Sequence, residues 1–161
     1  MFTTEEILTL AVQLENNAEA HYRQAVTTGN PPLAERLVWL ADQEAEHARW
    51  FMDLKERSTA ATPLLAAVHR VFLRDLMDGQ LFSLGAADLS HARDPKALLH
   101  TAMEFEQDTI LFYEMLRPAI TDSAARSKLD AIIAEEREHI RVLEQLELDT
   151  VADDAASRAG R

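Results

Sequence analysis

DQEAEHARWF, residues 42–51, reads as part of a helix that sets a glutamate and a histidine, Glu44 and His47, where core side chains belong. Stepping three then four residues through the surrounding segment picks out Leu33, Leu37, Leu40, Glu44, His47, Phe51 and Leu54, one face of an α-helix. Apolar residues lie both before and after the polar pair, so the pair interrupts the stripe from within. Three residues apart, Glu44 and His47 share that face.

The pattern recurs along the chain. Leu129, Ile132, Glu136, His139, Leu143 and Leu146 form a second stripe with the same interruption. Two more stripes carry one glutamate each: Leu8, Ala11, Glu15, Ala18, Tyr22 and Ala25, then Leu99, Ala102, Glu106, Thr109, Tyr113 and Leu116. The neighbouring acids Glu46, Glu104, Glu135 and Glu138 fall about 100–200° off these stripes at ~100° per residue, which assigns them to the solvated face.

Four glycines in 161 residues and apolar repeats at helical spacing make this an all-α sequence. Thr3 or Thr4 can cap the first helix, NPP at 30–32 separates it from the second, and TP at 62–63 opens a connection. DP at 94–95 opens the next helix, Arg117-Pro118 closes it, and Thr121 or Asp122 caps the last. These signals predict helices over 3–28, 32–57, 94–117 and 121–147. A partly helical crossover of about 35 residues between the second and third would let two helical hairpins pack as one four-helix bundle with parallel inner neighbours. Residues 1–148 are expected to form that single domain, and the small, polar 149–161 a disordered tail.

Composition narrows the function. With 28 acidic and 16 basic residues the formal charge is -12, which repels phosphate backbones and anionic lipid surfaces; no nucleic-acid or membrane partner is expected. The absence of cysteine removes disulfides, thiolate chemistry, iron–sulfur clusters and four-cysteine iron sites. The first residues open a polar helix and no apolar stretch approaches membrane-spanning length, so a soluble, cytoplasmic protein is expected.

Four core carboxylates at one level need compensation. An uncompensated buried carboxylate costs several kcal/mol or takes up a proton. Two histidines share these levels of the stripes, but no Lys or Arg does. Two divalent cations would balance four glutamates, with neutral imidazoles completing the coordination. Oxygen-rich donors with one His per metal suit Fe(II) or Mn(II) better than structural zinc. The reading is a buried dinuclear centre with Glu15, Glu44, His47, Glu106, Glu136 and His139 as its ligands.

The chain also repeats itself. TTEEILTLAVQLE (3–15) aligns with DPKALLHTAMEFE (94–106) at an offset of 91, which also places Tyr22 on Tyr113; Glu44 and His47 fall on Glu136 and His139 at an offset of 92. Two half-sites related by a pseudo-twofold follow. With one Glu from each of two helices and Glu-x-x-His from the other two, residues 3–147 resemble the ferritin-like diiron carboxylate superfamily, within it the rubrerythrin-like group. The resemblance implies two iron ions, with manganese the alternative, and oxidation of bound Fe(II) by O2 or hydrogen peroxide, as an oxidoreductase of peroxidase or ferroxidase type. It also implies a homodimer. Peroxidase rubrerythrins usually carry an extra Glu one turn after the first on the third helix, and often a rubredoxin domain. Here Thr109 stands at that place and there is no cysteine, so electrons would come from a separate donor. The competing reading is a bundle whose metal site binds without cycling, or serves structure alone.

Tyr22 and Tyr113 lie two turns past Glu15 and Glu106. Each phenol could hydrogen-bond a ligating carboxylate across the core or relay an electron, or be a core aromatic with a satisfied hydroxyl. His21, His69 and His100 read as surface or hydrogen-bonded histidines, and Asp88 with His91 in DLSH as a cap or solvated contact. Trp39 and Trp50, off the stripe, read as interface or groove packing.

Overall fold

The computed structural model of the chain describes residues 4–26, 31–57 and 95–159. They form α1 (Thr4–Val26), α2 (Pro31–Arg57), α3 (Pro95–Leu116), a 3-10 turn (Arg117–Ala119) and α4 (Ser123–Ala159). The expected crossover, with its TP signal, His69 and DLSH, lies outside the described residues. Among those described, no helix is long and apolar enough to cross a membrane.

Local chemistry sets the helix ends. Glu5 and Glu6 occupy the first turn of α1 and Arg23 its last, each opposing the partial charge of the helix terminus. Pro31 and Pro95 stand at the first positions of α2 and α3, where a missing N–H costs nothing and a fixed φ favours the helix. After α3, Pro118 restricts the chain to one 3-10 turn, and Ile120 is extended (φ -82, ψ 106). Of the two cap candidates for α4, Asp122 does the capping: its Oδ1 accepts the Ala125 backbone N–H at 2.7 Å. Arg126 donates from Nε and Nη2 to the Ile120 carbonyl at 3.0 and 2.8 Å, and Arg117 grips Asp130 with both arms of its fork, closing the α3–α4 corner.

The last helix departs from expectation. In place of an end near 148 and a disordered tail, α4 continues to Ala159. The stretch VADDAASRA is rich in Ala and holds neither Gly nor Pro, so nothing in it terminates a helix before Gly160. Small polar composition alone is a poor sign of disorder when helix propensity runs high.

The core has two apolar clusters with a polar layer between them. One contains Leu8, Leu14, Phe51, Phe112, Leu116, Leu129 and Ile132. The other contains Ala18, Leu37, Leu40, Leu99, Met103 and Leu143. Along α1 and α4 the chain passes from the first cluster to the second; along α2 and α3 it passes the other way. The hairpins α1–α2 and α3–α4 are therefore antiparallel, while α2 and α3 run the same way, an all-α four-helix bundle. Full burial of each Leu or Phe contributes about 1.5–3 kcal/mol, which lets clusters of this size hold a polar layer that would not fold by itself.

Candidate metal centre

Between the two clusters lie Glu15, Glu44, His47, Glu106, Glu136 and His139, none more than 2% exposed. All six residues singled out by the helical stripes meet there, one Glu from each of α1 and α3 and a Glu–His pair from each of α2 and α4. Their donor atoms fall into two overlapping groups, Glu15–Glu44–His47–Glu136 and Glu44–Glu106–Glu136–His139. Within each group the atoms lie within 4.8 Å of one another. Glu44 and Glu136 belong to both.

The imidazoles face inward through Nδ1. His47 Nδ1 is 3.0 Å from Glu136 Oε1 and 3.7 Å from both Glu15 Oε2 and Glu44 Oε2. His139 Nδ1 is 2.8 Å from Glu136 Oε2, 3.0 Å from Glu44 Oε1 and 3.8 Å from Glu106 Oε1. The two rings stack, centroids 5.8 Å apart and planes at 22°. Despite these short distances, Glu15 Oε2, Glu44 Oε1, Glu106 Oε2, both oxygens of Glu136 and both Nδ1 atoms lack an aligned hydrogen bond from any protein group. Close atoms that do not point at each other point at shared space, as ligands do around a cation. The donor set, carboxylate oxygens with one imidazole per group, fits divalent iron or manganese.

The tyrosines complete the pseudo-twofold. Tyr22 on α1 donates its hydroxyl hydrogen to Glu106 Oε1 on α3, and Tyr113 on α3 donates to Glu15 Oε1 on α1. Both phenols are held well above their usual range, first by burial and then by the carboxylate charges around them. They therefore stay protonated, as donors.

The electrostatics of the cluster show the strain of confining like charges. Burial, then the charges of Glu136 and Glu15, push the Glu44 carboxyl well up; burial, then Glu44 and Glu136, do the same to Glu106. Burial would also raise Glu136, but the close-lying imidazoles of His139 and His47 outweigh it and hold the group at about 2. Burial would lower both histidines, yet the facing carboxylates, Glu136 foremost, raise them. Without a metal the cluster is balanced by protons; a cation binding there displaces them.

Two side chains at the centre escaped the sequence reading. Glu135, assigned to the solvated face, is only partly exposed at 40%. Its Oε2 lies 2.8 Å from His47 Nε2, the outward nitrogen, while Lys128 stands 3.8 Å from its other oxygen. Trp39, read as interface or groove packing, sets its ring edge-on to His139, centroids 5.5 Å apart, while remaining 39% exposed. The available signal was the neighbouring helix: a residue just off the core stripe flanks the adjacent helix and can reach a ligand there. Thr109 is buried one turn beyond Glu106, its hydroxyl without a protein partner. Among the described residues, the other two histidines, His21 and His100, have no place at the centre. His21 packs against Phe105, ring centroids 6.1 Å apart, and His100 lies exposed 3.4 Å from Glu104. Trp50 packs against Phe51.

Comparison with known proteins follows the same lines. The rubrerythrin family profile matches residues 6–147. A crystal structure of a Thermotoga maritima protein, provisionally assigned there as ferritin-like diiron-carboxylate, is similar in fold with a TM-score of 0.69 and 25% sequence identity, over 92% of this chain and 97% of that one. No curated protein sequence matches.

Proposed function

This chain belongs to the rubrerythrin family, and from that premise we propose that it holds two iron ions in the buried centre and that their oxidation by O2 or hydrogen peroxide is its activity. The observation that carries the reading is the sharing of Glu44 and Glu136 between two donor groups, since a pair of bridging carboxylates is what two adjacent cations require. Bound there, a diiron pair would supply two electrons to the oxidant.

The chain's own residues then have distinct tasks. Glu15 and Glu106 each serve one ion, and Tyr113 and Tyr22 hold these carboxylates in place from the opposite helix. Each tyrosine also keeps a proton beside the centre, available where charge develops on oxygen. Glu44 and Glu136 keep the ions together. The flanking apolar clusters keep bulk water from the layer.

With no cysteine among these residues, the electrons that return the centre to its reduced state would come from a separate donor. Thr109 in place of a further carboxylate favours a centre that reacts with both oxidants over one tuned to peroxide. Anaerobic titration with Fe(II), followed by separate exposure to O2 and to peroxide, tests the proposal. Two irons bound per chain and oxidised on mixing are expected. Iron that binds but stays ferrous would favour the non-cycling metal binder instead.

A further inference from the structure

The internal duplication makes Glu135 on α4 and Gln43 on α2 equivalent positions, at the same offset that relates the two Glu-x-x-His motifs, and likewise Ala131 and Trp39. The residues differ, and so do the imidazoles they flank. Nε2 of His47 has the Glu135 carboxylate at 2.8 Å. Nε2 of His139 has no hydrogen-bond partner among protein groups, and the Trp39 ring packs edge-on against that imidazole. Each half has one Glu steadied by a tyrosine, and both share Glu44 and Glu136; the half of Glu106 also has Thr109 where the other has Ala18.

The difference bears on how strongly each histidine binds a cation. A carboxylate that accepts the outer N–H fixes the tautomer with the Nδ1 lone pair free, locks the ring, and draws the proton outward so that Nδ1 becomes a better donor. Such partners typically change metal affinity 10–100-fold. His139 has none, so binding there must also bear the cost of ordering its ring and tautomer. A glutamine at the equivalent position carries no charge with which to polarise an imidazole.

The geometry points to two unequal metal positions filled in order: the first divalent ion enters the Glu15–Glu44–His47–Glu136 group, the second the Glu44–Glu106–Glu136–His139 group, with Glu135 the positioning residue that sets the sequence. This rests on the diiron reading above but goes beyond it, because two ions sharing bridges could equally bind to equivalent halves.

Macroscopic titration would not suffice, since repulsion between neighbouring ions separates the two steps even in a symmetric centre. The test resolves the sites. Zn(II), a diamagnetic probe, is titrated into the metal-free full chain labelled with 15N in its histidines, and the imidazole signals are followed. At one equivalent the His47 signals should move to their bound positions while those of His139 remain at their metal-free positions. Glu135→Gln, nearly isosteric at a half-exposed site, should shift the ratio of His47-bound to His139-bound ion about 10–100-fold toward His139. Gln43→Glu should shift it the same way by strengthening the other half, an effect that damage to the fold would not produce. Equal or His139-first occupancy in the wild type, or a ratio unmoved by Glu135→Gln, would overturn the inference while leaving the two-metal reading standing. Zinc that moves neither imidazole would overturn both.

Discussion

The hydroxyl of Tyr113 on α3 donates a hydrogen bond to Glu15 Oε1 on α1, joining two helices from different hairpins through a buried carboxylate. The Tyr113 ring also packs on Phe51, centroids 4.9 Å apart, so Tyr113→Phe removes the donor and keeps the packing. Leaving a buried acceptor without its donor costs about 1–3 kcal/mol. Tyr113→Phe should lose about that much in urea denaturation of the metal-free protein, and Tm should fall by about 2–4 °C per kcal/mol for a chain of this size. A loss under about 0.5 kcal/mol, typical of an exposed substitution, would show that the bond contributes nothing.

Metal stoichiometry follows from the shared carboxylates. The wild type should bind two ions per chain, and Glu44→Ala or Glu136→Ala should weaken both positions, because each residue lies in both donor groups. Glu15→Ala should chiefly weaken one. Metal content after equilibrium dialysis against Mn(II) measures this. A single ion, indifferent to Glu44→Ala and Glu136→Ala, would overturn the two-metal reading.

The metal-free protein should become more stable as pH falls from about 9 toward 6. Glu44 and Glu106 titrate above the ordinary carboxylate value, and His47 and His139 above the ordinary imidazole value. Groups with raised values bind more protons folded than unfolded. Their stabilisation is complete below the unfolded value and is lost as pH rises through the folded one. Glu136 has the opposite sign: its contribution is present above the usual carboxylate value and is lost only as pH falls through about 2. With metal bound the trend should invert, since protons and cations compete for the same donors. Melting curves with and without Mn(II) at several pH values check both slopes; a metal-free Tm that climbs with pH over this range would contradict the assignment.

Thr109→Glu would add a carboxylate one turn from Glu106, at a buried position whose hydroxyl has no protein partner. Extra negative charge beside the centre favours the more highly charged, oxidised metals. The substitution should lower the reduction potential and move the ratio of oxidation rates toward peroxide, as read by stopped-flow mixing of reduced wild type and variant with each oxidant. A wild type already strongly selective for peroxide would show that Thr109 does not govern the choice.

The sequence by itself determined which side chains face inward. A helix has one phase, so the spacing of Leu33, Leu37, Leu40, Phe51 and Leu54 carries Glu44 and His47 to the core whatever the neighbours do. The same phase argument applied four times, with the charge of four glutamates, reached the composition of the polar layer. Helix phase could not reveal what crosses between helices. Whether Glu135 turns to water or to His47, whether Trp39 lies free or against His139, and which of Thr121 and Asp122 caps α4 depend on interhelical distance, register and rotamer. Those are set only when four stripes pack together. The inequality of the two half-sites arises there too: the duplicated motifs are alike within each helix, and it is the partner helix, bringing a carboxylate to one histidine and an indole to the other, that makes them differ.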